Sequence, residues 1–456
     1  ATALSNNLLN TSYIVNTGLL VLDNMLVFAD GVEKKYSDEF AIKEAKIGAT
    51  INIRRPPRYL GTFGPPLNVE DTNETFLPVS LNNQFHVDVQ FTTADLLLSM
   101  DLFKTRVLNP MIQTVANRID SDGLFAALQL TAQSVGTPAV APASFLTFAQ
   151  ANAILDMEAC PADENRRCVL DPLSAAAAVD GIKGLFNPQA QIGEYVRRGF
   201  IAKNFAGLDW YRDQNVVAFT TGAQGGTPLL TANTGGAFLT SGWANSGFIQ
   251  TNGWTNSTGV VKVGDIIQIA GVFPANPQSR TQYGNSLKQF VVLPPGGYVP
   301  NPIGSATPGP SFAAATLTSG TFNAATGVYT SSGAGALSIL IGECCITGGQ
   351  FQNAVTTAAF TATSAITVNG AAAGVNANKV TPQGIVYHKT AFALASADLP
   401  LPRGVESAAR ANDSDIGLSM RMVTAYTINN DAMPTRCDVL YGWAGLYRNM
   451  AVRVAG

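Results

Sequence analysis

NPMIQTVANRIDSDGLFAALQLTAQ, residues 109–133, is the stretch around which the chain is organised. Asn109 is placed to cap a helix, its side-chain oxygen accepting a free backbone N–H of the first turn. Pro110 follows at the first helical position, where its fixed φ helps and its missing N–H costs nothing. Met111, Ile112, Val115 and Ile119 recur at helical spacing, and Leu124, Phe125 and Leu128 continue the pattern. About 24 residues at ~1.5 Å each make a rod of about 36 Å. Gly123 interrupts it at ~1 kcal/mol relative to Ala, which marks a candidate bend. Spacing alone predicts an amphipathic core helix. It leaves open a second reading, a spine across a flat, shell-forming subunit.

Working outward, the 456 residues are 46% hydrophobic and only 13% charged, about half the usual charged share. So few charges leave much of the surface neutral, and a monomer with that surface tends to associate. Extensive burial between subunits is one reading; a secreted β-rich protein with a Ser/Thr/Gly surface is the other. The net charge of −3 gives no basic excess for gripping nucleic acid. Five cysteines, two of them adjacent at Cys344 and Cys345, do not form a disulfide framework and point to a reducing compartment. The first residues lack the basic region of a signal peptide. No run approaches ~20 apolar residues, so no membrane span is expected.

Before the helix, residues 1–35 read as an arm leading into a helix. Ile47–Ile53 and Gln84–Phe91 alternate as strands. The Gly/Pro-rich turn Gly61–Pro66 lies between them, so the two predict a long hairpin-like arm. Arg54, Arg55 and Arg58 stand at its base, as phosphate ligands or, more simply, as contacts to a neighbouring subunit. Asp95–Leu108 reads as a short helix, Thr147–Glu158 as another, and Arg167–Leu170 as a buried strand. Asp171-Pro172 opens an alanine-rich helix over Leu173–Val179. Near residue 222 the composition shifts to Gly, Thr, Ser, Ala and Asn. Short β-runs at Asp265–Val272, Gln289–Leu293, Leu337–Ile341 and Ala365–Val368 then predict a small barrel or sandwich. Residues 294–335 read as long loops. From Gly384 the earlier style returns, with strands at Leu418–Tyr426 and Asp438–Trp443, so both termini belong to one domain.

Chemistry-bearing constellations are sparse. Two histidines, His86 and His388, argue against a metal cluster or a His-based triad. No phosphate loop, nucleophile elbow or dinucleotide fingerprint occurs. Asp120-Ser121-Asp122-Gly123 faintly resembles a calcium loop without its remaining ligands, and its acids are expected to be exposed or paired along the helix. No cofactor is called for, and no enzyme.

Several stretches in order resemble the major coat protein of short-tailed, Salmonella-type bacteriophages. They are Gly48–Pro56, Ala116–Asp120, Gly184–Gln189, Val263–Val272, Gln289–Val292, Val386–Ala395, Tyr426–Asp431 and Asp438–Gly442. The Gly/Ser/Pro-rich tract at 294–335 departs from the family pattern. The resemblance implies an α+β tailed-phage major capsid (Johnson) fold with an inserted all-β domain. Its regions would be an N-terminal arm (1–35), an extended loop (36–80), a peripheral domain with the spine helix (81–139), and an axial domain (140–221). An inserted β-barrel-like domain (222–380) and returning axial and peripheral strands (381–456) would follow.

The function implied is a non-enzymatic shell protein that self-assembles as pentamers and hexamers around double-stranded DNA, which it encloses without sequence-specific binding. A scaffolding protein and a portal are the implied partners, with a decoration protein left open. The implied location is the virion capsid, assembled in the host bacterial cytoplasm. Arg54, Arg55 and Arg58 are the expected intersubunit contacts. Two rival readings remain, the shell of a cellular nanocompartment with the same fold and a secreted β-rich glycan-binding adhesin.

Overall fold

The computed structural model describes residues 26–34, 50–72, 74–81, 83–92, 109–182, 202–231, 239–240, 246–296, 312, 315–358, 360–413, 418–428 and 432–455. The expected early helix, the helix at Asp95–Leu108 and the loop at Gly184–Gly199 lie outside these residues.

Helix α1 spans Asn109–Leu130, three residues shorter than its pattern suggests. At ~1.5 Å per residue it is about 33 Å long. Met111, Ile112, Val115, Ala116, Ile119 and Asp120 form its buried stripe, and from Leu124 onward burial spreads around the helix. The change has a physical cause, because a second unit covers the far face of its last turns. Phe125 packs there against Phe312, ring centroids 6.4 Å apart. The cap expected of Asn109 is not made: its Oδ1 is buried and accepts no hydrogen bond among the described residues. Nor does Gly123 break the helix, which runs through it without interruption.

The face of α1 away from that unit lies on an antiparallel sheet. Its long strand, Ala432–Gly445, pairs with Asn83–Thr92, Leu418–Thr424 and Phe392–Ser396, and Ser407–Asp413 adds to Leu418–Thr424. Met420, Met422, Cys437, Val439, Tyr441 and Trp443 meet the α1 stripe in one core. Phe85, Val87 and Val89 pack on its margin, which is the face their alternation predicts.

The hairpin expected between Ile47–Ile53 and Gln84–Phe91 is therefore corrected. Thr50–Arg55 pairs with Thr75–Ser80 instead, in the register Thr50↔Ser80 to Arg55↔Thr75. Pro78 disguises the partner strand in sequence. In a two-stranded ribbon both strands are edges, so a residue with no N–H to donate is tolerated.

A second, mixed sheet runs in the order Ser134–Gly136, Ala451–Ala455, Val380–His388, Arg166–Leu170, Leu208–Arg212 and Ala202–Phe205. Helices α2 (Phe145–Met157) and α3 (Pro172–Ile182) belong with it. Their Phe148, Leu155, Ala175 and Ala178 share a core with Trp210 and Val386. Ser144 Oγ caps α2 by accepting from Leu146 N at 3.2 Å. The Asp171 carboxylate caps α3, accepting from Leu173 and Ser174 N, with Pro172 in the first turn.

Between Thr220 and Val380, which pair with each other as a neck, the chain builds a six-stranded sheet. Its order is Ile366–Val368, Ile266–Ile269, Gln289–Leu293, Leu337–Gly342, Ser246–Trp254 and Gly226–Leu230. A bridge between Leu229 and Ala365 joins its two edges, with Leu230 N donating to Ser364 O at 2.9 Å, and closes it as a barrel. Ile249, Ile267, Phe290, Val292, Ile339 and Ile341 fill the inside. Ile266, Val291, Leu293 and Leu340 form a second cluster outside, against Ala132 just beyond α1. Strands buried on both faces read as continuous apolar runs, which is why Gln289–Leu293 and Leu337–Ile341 stood out in sequence. The 294–335 tract is less loop-like than expected: Thr321–Asn323 and Val328–Thr330 pair there as strands.

Candidate functional site

The ribbon Thr50–Ser80 is the most exposed part of the described chain. Along Thr50–Arg55 burial alternates, so Ile51 and Ile53 face inward while Asn52 and Arg54 face out. Ile51, Ile53, Val79 and Leu81 settle on Ala393, Ala395, Leu440 and Leu446 of the body. Burying each large aliphatic side chain contributes about 1.5–3 kcal/mol, so the base is fixed.

Beyond it the chain leaves the body. Phe63 is fully exposed, Leu67 is 90% exposed and Val69 79%, with Tyr59 and Leu60 about half exposed beside them. Positive φ at Gly61 and Gly64 lets the tip turn. The Glu70 carboxylate accepts from Leu60 N at 2.6 Å and from Gly61 N, which folds the tip on itself. The barrel of the same chain supports it from below. Arg280 donates to the Tyr59 and Leu60 carbonyls, and Gln350 Nε2 to Asp71 O at 2.8 Å.

Of the three candidate arginines, only Arg55 and Arg58 are brought together. Strand alternation sends neighbours to opposite faces. Arg54 points to solvent and reaches Glu74 at 3.4 Å, a contact worth about 0–1 kcal/mol in water. Arg55 turns inward, its guanidinium 5.0 Å above the Tyr447 ring. Arg58 lines a partly open cavity with Arg55.

Two anchoring groups carry no sequence signature of their own. The first is Asp120 on α1, completely buried rather than exposed or paired along the helix. Its oxygens accept from Val27 N at 2.8 Å and Ala29 N at 3.0 Å, tying the 26–34 segment to the spine. Phe28 of that segment sits among Tyr387, Phe392 and Trp443. Burial, helped by the charge of Asp213, pushes the Asp120 carboxyl up to about 7, against the pull of the backbone N–H groups. Asp122, two residues on, instead pairs with Arg118 at 3.1 Å and accepts from Tyr441 Oη at 2.6 Å.

The second anchor joins barrel to body. Asp265 is buried and accepts from Gly222 N, Lys262 N and Asn369 Nδ2. Arg453, equally buried, donates to Gly264 O at 2.9 Å, and burial lowers its guanidinium to about 10 against the pull of Asp265. Next to it the Gln289 side chain pairs with both backbone groups of Ser134, at 2.7 and 3.0 Å, like one rung of a sheet.

Among the described residues no group of three or more His, Cys, Asp or Glu side chains is placed to hold a metal ion. No described helix is long and apolar enough to cross a membrane. His388 is a structural group: its ring bonds to Thr390 Oγ1 at 2.8 Å and Asp163 at 3.0 Å. All five cysteines are buried thiols, and burial pushes Cys160 and Cys344 up to about 11, away from reactivity.

Among solved structures, the chain is similar to one from Mycobacterium phage Che8, with 10% identity over 94% of this chain and 90% of that one and a TM-score of 0.41. A capsid structure of cyanophage P-SCSP1u gives 9% identity, coverage of 90% and 84% and a TM-score of 0.36. The head structure of Helicobacter pylori bacteriophage KHP40 gives 9%, 90% and 83%, and 0.35. No curated protein matches the chain. Residues 3–300, well over half of the chain, match the family model described as P22 coat protein, gene protein 5. The chain therefore belongs to the P22 coat protein family, with the α+β tailed-phage capsid fold and an inserted β domain, and it is a major capsid protein of the phage shell.

Proposed function

We propose that the chain is a non-enzymatic building block whose extended loop is its assembly arm. The apolar tip docks on a neighbouring copy as pentamers and hexamers close into an icosahedral shell around double-stranded DNA. One observation carries this reading. Tyr59, Leu60, Phe63, Leu67 and Val69 lie exposed on a tip whose base is fixed in the core. A cluster of exposed large apolar side chains marks an interaction surface. Arg54, exposed on the same ribbon, contacts the neighbour, while Arg55 and Arg58 set the angle of the loop base.

The proposed regions are the arm (1–35), extended loop (36–80), peripheral domain (81–139), axial domain (140–221), inserted barrel (222–380) and returning strands (381–456). Asp120 holds the arm to the spine, and Asp265 with Arg453 holds the barrel to the body. A scaffolding protein and a portal are the partners in assembly, which takes place in the host cytoplasm. DNA is enclosed without sequence-specific contact, in keeping with the net charge of −3.

The test is a Phe63→Ser, Leu67→Ser double variant followed by sedimentation. Loss of particles from a folded monomer supports the reading; a normal particle yield removes the tip from the assembly surface.

A further inference from the structure

A cavity of about 150 Å³ lies where the loop base, the ends of α1 and α2, and the barrel meet. Arg55, Arg58, Lys288 and Arg448 line it, against two carboxylates, Glu158 and Glu343. Glu158 is engaged elsewhere: it takes the Tyr283 hydroxyl and the Asn449 amide. Burial raises its carboxyl pKa and the facing Lys288 charge pulls it back, so Glu158 is a partial counter-charge to that ammonium.

Lys288 is only 8% exposed. Among the described residues its ammonium makes no hydrogen bond or ion pair; it rests beside the Phe290 ring, 5.7 Å from the centroid. Arg58 makes no ion pair among the described residues; its charge opposes that of Arg55, which Glu343 supports. Four cationic side chains thus face the cavity, and Glu158 and Glu343 offset their charge only in part; an anion would complete it.

We propose that this cavity is an oxyanion site for inorganic phosphate, held by Lys288, Arg58 and Arg55. Phosphate offers tetrahedral oxygens that match both an ammonium and a guanidinium fork. The space, about 150 Å³ and partly open to the surface, has room for one phosphate. A bound phosphate ties the loop base to the barrel and so fixes the angle at which the loop leaves the body.

The test is thermal unfolding of the purified full chain, titrated with sodium phosphate or with sodium chloride at matched ionic strength. Phosphorus NMR line broadening of the added phosphate is read in parallel. The expected result is a saturable rise in Tm in phosphate alone. Arg58→Gln weakens the apparent affinity roughly tenfold or more, and Arg58→Lys restores part of it. Lys288→Met in chloride is at least as stable as the parent chain, having lost a buried charge, and does not respond to phosphate. If Lys288→Met fails to fold, the half-buried Arg58 variants carry the test. Equal shifts in the two salts, an Arg58→Gln titration matching the parent, or a response to a short DNA duplex in place of phosphate overturns the proposal.

Discussion

Replacing Gly123 by Ala separates two readings of the spine by the sign of one number. If the glycine served as a joint, alanine would stiffen the helix and stabilise the chain by about 0.4–1 kcal/mol. The structure gives it another role. A Cβ at Gly123 would lie 2.5 Å from Trp443 Cζ2 and 2.8 Å from Cε2 and Cη2. Carbon atoms prefer about 3.5–4.0 Å, so the indole must move by about 1 Å. It has little room, being 3% exposed and packed against Phe28 with ring centroids 5.4 Å apart. Overpacking of this kind costs about 1–3 kcal/mol. The helix-propensity gain of about 1 kcal/mol offsets only part of it.

Gly123→Ala is therefore expected to lose up to about 2 kcal/mol in urea unfolding of the monomer followed by circular dichroism. Trp443→Phe removes the ring atoms that clash. It sacrifices no hydrogen bond, since Trp443 Nε1 is buried without one among the described residues. In that background Gly123→Ala should become neutral or stabilising, a coupling of about 1–3 kcal/mol. A single variant more stable than the parent chain, or a cycle with no coupling, refutes close packing as the reason for the glycine.

Asp120→Asn should loosen the 26–34 segment, seen as faster proteolysis there, because Val27 N and Ala29 N bond to different carboxylate oxygens and an amide replaces one of them with a donor NH2. Its pH dependence has a definite sign. The folded carboxyl sits at about 7 against an ordinary 3.8, so its contribution is fully present below about 4 and is lost as pH rises through 7. The advantage of the parent chain over Asp120→Asn should shrink across that window by up to about 4 kcal/mol; parallel stability profiles would exclude this carboxyl as the source. The Phe63→Ser, Leu67→Ser variant should unfold within about 0.5 kcal/mol of the parent, since both side chains are exposed; a larger loss would mean that the tip packs within its own chain. Replacing Arg54, Arg55 and Arg58 with Ala should lower particle yield while the monomer still folds, and an unchanged yield by sedimentation would release all three from assembly.

How much of this was legible in the sequence follows from how local each feature is. The helix at Asn109, the caps at Asp171-Pro172 and the apolar barrel strands are written in neighbouring residues, through helical spacing, a cap and runs buried on both faces. The ribbon partner Thr75–Ser80 was hidden by Pro78, which reads as a strand breaker unless both strands are known to be edges. Gly123 was visible as an interruption, but its purpose depends on Trp443, 320 positions away. Asp120 looked like any acid on a helix until the chain brought Val27 and Ala29 to it. Arg54, Arg55 and Arg58 looked like a cluster because they are close in sequence, whereas the two faces of a strand set Arg54 apart from the others. Lys288 and Arg58 belong to different folding units, and only the docked barrel places them around one cavity.

The central claim is that this chain closes into a shell through its extended loop. Electron microscopy of the purified full-length protein, beside the Phe63→Ser, Leu67→Ser variant at the same concentration and with the same assembly partner, tests it most directly. The expected result is closed icosahedral particles or capsomer sheets from the parent chain and folded, unassembled subunits from the variant. A parent chain that stays monomeric with and without a scaffold, or a variant that forms shells equally well, would contradict it.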